Sequence, residues 1–263
     1  MIGIFDSGFG GLIYAKNFNK VFPKYDFIYL GDQLRVPYGG RSPAAIQQFT
    51  EECVQTLWKL GAKLIILACN TASADALRYL QNKYLDKKIL GVLIPGVEAA
   101  LEHSGNIGVI ATRGTIATQA YSHEIKKKDS HRKIKEVAAP LLVPLIEENY
   151  GNRPETKKIL KKYLRPLKDF SVKNLILGCT HYAYIKNSFI KVMGKNVTII
   201  DPGWEAVLKL KDYLKRHPEI DELLSKNSSK KFYTTDSVDL FEEKSLFFYG
   251  KKIAVEKIII SNF

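Results

Sequence analysis

The stretch Lys63-Leu-Ile-Ile-Leu-Ala-Cys69-Asn-Thr-Ala joins an apolar run to a cysteine and a short polar turn, and Lys173-Asn-Leu-Ile-Leu-Gly-Cys179-Thr-His-Tyr repeats that arrangement. The two cysteines lie 110 positions apart (69 to 179), and at this offset the apolar runs align. A short apolar run that ends in a turn is typical of a buried strand in a parallel sheet. The repeat therefore predicts two related halves, each of which carries a cysteine at the end of a strand.

A second pair of segments supports this duplication. Ile2-Gly-Ile-Phe-Asp6-Ser-Gly aligns with Ile107-Gly-Val-Ile-Ala-Thr-Arg at an offset of 105 positions (2 to 107). Strands are predicted over 2–5, 26–30, 63–68, 107–111, 136–139, 174–177 and 197–200, and helices over 43–61, 154–164 and 204–215. Thr71 or Ser73 is the expected N-cap of a further helix that runs through Tyr84. This alternation indicates an α/β protein with two pseudo-symmetric, doubly wound lobes, mainly parallel sheets and an active site in the cleft between the lobes.

The composition bounds the class of protein. The chain has 263 residues, 46% of them hydrophobic and 25% charged, which is typical of a soluble globular protein. The N-terminal sequence has no basic region of the kind that begins a secretory signal, and no apolar stretch approaches the roughly 20 residues needed to cross a bilayer. We therefore expect a cytoplasmic protein without a membrane partner. Three cysteines do not suggest a disulfide framework in a chain of this length.

The formal net charge of +13 raises the question of an anionic partner. The lysines are spread over several predicted helix faces and loops, as in Lys126-Lys-Lys128 and in the run from Lys157 to Lys162. They accompany no zinc-finger spacing and no aromatic ribonucleoprotein motif. We therefore interpret them as solvated helix faces with at most a weak steering effect on anions, and expect no specific nucleic-acid partner.

The positions of Cys69 and Cys179 suggest a chemical role. Ligands of open α/β sheets bind beyond the carboxyl ends of the strands, where both cysteines are predicted to lie. Exposed N–H groups at helix starts stabilise anions, so we expect them to lower the pKa of each thiol from about 8.5 towards neutrality. Two such thiols on opposite sides of one substrate are what a two-base proton transfer at carbon requires. The polar residues Ser7, Asn70, Thr71 and Thr180 are candidates for binding substrate carboxylates.

Asp6 and His181 complete the candidate site. Asp6 follows a buried strand and is suited either to accept a proton or bind an ammonium group, or to cap the next helix. His181 lies two residues beyond Cys179 and is suited to polarise that thiol or take its proton. The segment Gly8-x-Gly10-Gly11 lacks the third glycine of a dinucleotide-binding fingerprint. The histidines show no metal-ligand spacing, so we expect neither a metal nor a cofactor.

Five segments together resemble the glutamate racemases of the aspartate/glutamate racemase superfamily, in order along essentially the whole chain. They are Phe-Asp6-Ser7-Gly8-x-Gly-Gly, Arg35-Val-Pro-Tyr38-Gly39, Ala-Cys69-Asn70-Thr71-Ala, Pro140-Leu-Leu-Val-Pro-Leu-Ile-Glu147-Glu148 and Gly-Cys179-Thr180-His181-Tyr. The Cys-Thr-His-Tyr segment is more similar to the glutamate branch than to the aspartate branch. The resemblance implies interconversion of L- and D-glutamate without a cofactor, which supplies D-glutamate for peptidoglycan.

The resemblance also assigns roles. It implies that Cys69 removes the Cα proton of D-glutamate while Cys179 protonates the opposite face, with Asp6 assisting Cys69 and His181 assisting Cys179. It implies substrate contacts from Asp6, Ser7, Tyr38, Gly39, Asn70, Thr71, Thr115, Thr180 and His181. It implies two lobes, with the C-terminal segment completing the first, and it is compatible with a homodimer. The repeat offset places the boundary near Leu93 to Val97, so we expect residues 1–95 plus 207–263 to form the first lobe and 96–206 the second. A racemase for aspartate or a hydantoin-like substrate is the main alternative, and a basic binding protein without activity is a more distant one.

Overall fold

A computed structural model of the protein describes residues 1–260, which form two parallel sheets flanked by helices. The strands are β1 (Ile2–Asp6), β2 (Phe27–Gly31), β3 (Leu64–Leu67), β4 (Lys88–Gly91), β5 (Asn106–Ala111), β6 (Ile134–Ala138), β7 (Val172–Gly178), β8 (Thr198–Ile200), β9 (Lys230–Thr234) and β10 (Glu256–Lys257). The α-helices of the first half are α1 (Gly11–Val21), α2 (Pro43–Lys59), α3 (Asn70–Asp75), α4 (Leu77–Lys83) and α5 (Leu93–Leu101).

The later α-helices are α6 (Arg113–Ala117), α7 (Ala120–Lys128), α8 (Leu142–Glu147), α9 (Pro154–Asp169), α10 (Lys186–Met193), α11 (Pro202–Arg216), α12 (Pro218–Asp221) and α13 (Val238–Phe248). In the described part of the chain, three 3-10 helices cover Gln33–Arg35, Tyr38–Gly40 and Thr180–Ile185. No helix within residues 1–260 is both long enough and apolar enough to cross a membrane.

The strand order repeats between the two sheets. The first sheet has the order β10-β9-β2-β1-β3-β4 and the second has the order β6-β5-β7-β8. Every strand pairing is parallel. The run β2-β1-β3-β4 has the same topology as β6-β5-β7-β8, which confirms the α/β class and the two related halves predicted from the internal repeat.

Burial on both faces explains why β1 reads as an apolar run without alternation. All five of its residues are buried. Ile4 packs on one face with Leu12 of α1, while Phe5 packs on the other face with Ile46 of α2. A parallel strand covered by helices on both sides has no solvent-facing positions, so it requires apolar residues throughout.

The helix that follows β3 differs from its prediction. Cys69 is the N-cap of α3, and the helix is interrupted at Ala76, which ends α3 and begins α4. The expected N-cap at Thr71 or Ser73, and one continuous helix through Tyr84, are therefore wrong. The two hydroxyls have other partners, because Ser73 donates to the carbonyl of Leu67 at 2.9 Å and Thr71 contacts residues of the second half.

The C-terminal part of the chain returns to the first sheet through β9 and β10. The buried carboxylate of Asp26, just before β2, holds this return. It accepts hydrogen bonds from the backbone N–H groups of Asn227 (2.9 Å) and Ser229 (2.7 Å) and from the Asn227 side chain (3.1 Å). The lobe boundaries at 95/96 and 206/207 stay a prediction.

Asp26→Asn is expected to lower the free energy of unfolding by about 1–3 kcal/mol, because the amide is a weaker acceptor for these donors than the buried carboxylate. Urea denaturation measures the change. Asp86→Asn is the control, since the Asp86 side chain is 76% exposed and its substitution is expected to change stability by less than about 0.5 kcal/mol. Equal effects of the two substitutions would contradict a tethering role for Asp26.

Candidate active site

A cavity of about 420 Å³ opens beyond the carboxyl ends of the central strands of both sheets. Cys69 enters it from the end of β3 and Cys179 from the end of β7, so each half contributes one thiol. Nine of the eleven residues proposed from the sequence line this cavity: Ser7, Tyr38, Gly39, Cys69, Asn70, Thr71, Cys179, Thr180 and His181. The other two, Asp6 and Thr115, lie buried behind the lining.

The Cys69 thiol is surrounded by the start of α3 and the loop after β1. Its Sγ lies 3.4 Å from the Ser7 hydroxyl and accepts a hydrogen bond from the Ala72 N–H at 3.5 Å. Burial raises the pKa of Cys69 to about 12, and the nearby carboxylate of Asp6 adds to the increase. The prediction that the pKa of this thiol is shifted towards neutrality is therefore wrong. The thiol is buried, and the long N–H contact of the six-residue α3 does not offset the desolvation.

The surroundings of Cys179 are different. A 3-10 helix, rather than an α-helix, follows this cysteine, and its Sγ lies 3.9 Å from Nδ1 of His181. The other ring nitrogen, Nε2, lies 2.8 Å from a carboxylate oxygen of Glu147. Burial lowers the pKa of His181, but the contacts with Cys179 and Glu147 outweigh it and raise the pKa to about 10. At neutral pH the ring is therefore an imidazolium that has a donor for each partner.

Glu147 was not among the residues proposed from the sequence, although it lies in one of the quoted segments. It comes from the end of α8, 34 positions before His181, and lines the cavity. No local spacing links a glutamate at this distance to a histidine. Only the folded chain identifies it as the partner of His181.

Asp6 connects the two halves from beneath the cavity. It accepts hydrogen bonds from the backbone N–H of Gly8 (2.8 Å) and from the hydroxyl of Thr180 (3.2 Å). Burial raises the pKa of Asp6 to about 6, while the nearby His181 opposes the increase. The hydroxyl that donates to the Asp6 carboxylate therefore belongs to the second half. The side chain that contacts the Cys69 thiol is that of Ser7.

Close packing of the glycine-rich loop explains its composition. A side chain at Gly10 would overlap with the side chains of Thr180 and His181, and one at Gly11 would overlap with Asp6. Gly10 therefore permits the close approach of the two halves, and Gly11 leaves room for Asp6 within the first half.

Three threonine hydroxyls from both halves form a polar cluster at one end of the cavity. The Oγ1 atoms of Thr71, Thr112 and Thr115 are 3.0 Å from one another. Thr71 and Thr112 line the cavity, whereas Thr115 supports them from below. Thr112 was missed in the sequence, although the internal repeat at an offset of 105 positions pairs it with Ser7.

Two polar side chains of the lining have partners that limit what they can offer a ligand. The Tyr38 hydroxyl donates to Asp32 at 2.5 Å, so its proton is not free for a substrate. The Tyr121 hydroxyl donates to Oδ1 of Asn70 at 2.6 Å, which leaves the Asn70 amide nitrogen as the donor for a ligand.

Comparison with known proteins gives consistent results. The family model described as Asp/Glu/Hydantoin racemase matches residues 13–210. A glutamate racemase of Trichodesmium erythraeum (strain IMS101) is 37% identical over 259 residues, which are 98% of this chain and 94% of that protein. A glutamate racemase isoform from Bacillus anthracis superposes with a TM-score of 0.91 at 35% identity, over 98% of this chain and 97% of the other. Glutamate racemase from Francisella tularensis subsp. tularensis in complex with D-glutamate gives a TM-score of 0.91 at 35% identity, over 100% and 98%.

Glu147→Gln is expected to lower the pKa of His181 by between about one and three pH units, because the ring loses its anionic partner. The midpoint is read from the ring resonances in a pH titration by NMR, and a His181→Asn spectrum assigns the signal. Glu148→Gln is the matched control, since Glu148 lines the same cavity beside Glu147. A similar decrease in both variants would show that the ring responds to the general charge of the cavity and not to the Glu147 contact.

Proposed function

The chain belongs to the Asp/Glu/hydantoin racemase family and, within it, to the glutamate racemases, and we propose that it interconverts L- and D-glutamate by proton transfer between two cysteines. The observation that carries this proposal is the pair of thiols, Cys69 and Cys179, which enter one cavity from the two related sheets. A planar carbanion between them can receive a proton on either face, which is the requirement for racemisation.

The surroundings of the two thiols are different. Because burial raises the pKa of Cys69 to about 12, this thiol holds its proton at neutral pH and is the acid of the pair. For L-glutamate, Cys179 as thiolate takes the Cα proton and Cys69 donates its own proton to the opposite face, which yields D-glutamate. For D-glutamate the same transfers run in reverse.

His181 and Asp6 influence the protonation states of the two cysteines. The His181 imidazolium, held by Glu147, directs an N–H group towards the sulfur of Cys179 and so stabilises a thiolate there. Asp6, with a pKa of about 6, changes charge near neutral pH. The Asp6 carboxylate attracts the positive ammonium group of a bound amino acid, and that group favours the thiolate of Cys69 against the repulsion from Asp6. This is how we infer that Asp6 assists this thiol when D-glutamate binds.

The polar lining suits a substrate with two carboxylates. Hydroxyls of Thr71 and Thr112, the amide nitrogen of Asn70 and the N–H groups that begin α3 lie at the cavity. Thr180 also lines it, although its hydroxyl donates to Asp6. Charge-assisted hydrogen bonds from such donors stabilise carboxylates without a buried arginine. Ser7 and Gly39 line the same space, and Thr115 acts through Thr71 and Thr112.

We place this reaction in the cytoplasm, as a source of D-glutamate for peptidoglycan, with no cofactor and no metal. All three cysteines are free thiols, which suits a reducing compartment. A homodimer stays a prediction. A racemase for aspartate or a hydantoin-like substrate remains the alternative, because it would use the same pair of thiols.

Cys69→Ser and Cys179→Ser are each expected to lower the rate of glutamate racemisation at least about a hundredfold, because serine is a far weaker acid than cysteine. Circular dichroism measures the rate, because the ellipticity of L-glutamate decays as it racemises. Each variant is expected to retain elimination from one enantiomer of a halogenated glutamate, since that reaction needs only one base. Cys53→Ser is the control, since Cys53 is buried in α2 outside the cavity. If it lost as much activity as Cys69→Ser, the two-base assignment would be wrong.

L-glutamate is expected to exceed L-aspartate and L-glutamine in kcat/KM by a factor on the order of 10⁴, because a shorter or uncharged side chain leaves buried donors unpaired. Parallel kinetics with the three amino acids, and proton exchange of D-glutamate, D-aspartate and a hydantoin in deuterated water, measure the difference. A kcat/KM for aspartate comparable to that for glutamate would assign the chain to the alternative function, a racemase for aspartate or a hydantoin-like substrate. Exchange with none of these compounds would favour a binding protein without activity.

A further inference from the structure

A cluster of buried charges lies directly behind one wall of the cavity. This wall is the segment Val36–Gly40, all five residues of which line the cavity. At the centre of the cluster is Asp32, whose side chain is completely buried. It follows the carboxyl end of β2, and the proposed reaction gives it no direct role.

Asp32 accepts hydrogen bonds from three side chains, two of the neighbouring segment and one of the C-terminal return. Its Oδ2 accepts from the Tyr38 hydroxyl at 2.5 Å and from Nε of Arg35 at 2.6 Å. Its Oδ1 accepts from the hydroxyl of Thr235, which follows β9, at 2.9 Å. A buried carboxylate is stable only when its oxygens are satisfied in this way, so these contacts constrain one another.

Arg35 is itself held from the opposite side. Its guanidinium forms an ion pair with Glu52 of α2 and lies 4.4 Å from the centre of the Phe49 ring. Because the guanidinium is planar and multidentate, these contacts hold it in one orientation. Through Arg35, Asp32 is held relative to α2 by contacts that do not involve Tyr38.

The wall segment depends on this cluster for its position. The buried Tyr38 ring packs against Phe5 and Phe49, with ring centroids 6.2 Å and 5.8 Å away, and its hydroxyl is tied to Asp32. On its other side the segment meets the second half, where a Cβ at Gly39 would lie 2.7 Å from Cβ of Thr112. A shift of Tyr38 would therefore move Gly39 against the hydroxyl cluster that we expect to bind a carboxylate.

We propose that Asp32 is a positioning residue for substrate binding, which acts through the Tyr38 hydroxyl to hold the wall segment at its distance from Thr112. This inference rests on the proposed racemase function. The cysteines are held by the ends of β3 and β7, so loss of the Asp32 contacts changes the shape of the binding cavity more than it changes the proton transfer. The expected signature is a higher KM for glutamate with little change in kcat.

The test compares Asp32→Asn with Asp26→Asn. The two carboxylates lie at opposite ends of β2, both are buried, and both bind residues of the C-terminal return. Only Asp32 is at the cavity end. We expect Asp32→Asn to raise KM for L-glutamate about tenfold with kcat within about threefold, and Asp26→Asn to leave both constants unchanged even where it lowers stability.

A double-mutant cycle tests whether Asp32 acts through Tyr38. Tyr38→Phe is expected to raise KM by a similar factor, and Asp32→Asn is expected to add little in the Tyr38→Phe background, because residues that act through one contact are not additive. Independent, multiplying effects of the two substitutions on KM would overturn the proposal. Thr235→Val, which removes the third donor, is expected to raise KM by a smaller factor.

The outcomes separate this proposal from the proposed function. If the unmodified protein does not racemise glutamate, the proposed function fails. If it does, and Asp32→Asn matches Asp26→Asn in KM or loses kcat without a change in KM, the positioning role is wrong. If Asp32→Asn does not fold, Tyr38→Phe and Thr235→Val decide the question, and unchanged KM values in both would overturn the proposal.

Discussion

The close approach of the loop after β1 to the residues after β7 is the constraint on which the candidate site depends. Gly10 leaves no space for a side chain between itself and Thr180 and His181, and Asp6 accepts a hydrogen bond from Thr180 across the same contact. This contact joins the two halves at the carboxyl ends of their sheets. Because each half presents its cysteine at that edge, the contact also determines that both thiols open into one cavity.

Burial dominates the electrostatics of this cavity and makes its two sides different. It raises the pKa of Cys69 to about 12 and that of Asp6 to about 6, whereas anionic partners raise the pKa of His181 to about 10. The two related halves thus have corresponding strands, but the side chains beside their two thiols differ. A serine accompanies one thiol, and an imidazolium held by Glu147 accompanies the other. A reversible racemase tolerates this asymmetry, since its two bases exchange roles with the direction of the reaction.

The C-terminal return has a structural role beyond completing the first sheet. Asp26 and Asp32 flank β2, and each binds residues that follow the second sheet in the chain. The contact at Asp32 reaches the cavity through Tyr38, while the contact at Asp26 lies at the far end of the strand. A segment distant in sequence is thereby connected to the wall of the candidate site.

The α/β class, the two related halves and the cysteines at the strand ends could all be predicted from the amino-acid sequence, because buried parallel strands require apolar runs and the repeat preserved them. Nine of the residues that line the cavity could be predicted in the same way. The partner of His181, the hydrogen bond from the Tyr38 hydroxyl to Asp32 and the raised pKa of Cys69 became evident only in the folded chain. Hydrogen-bond partners and desolvation depend on groups from distant segments, which local spacing does not encode.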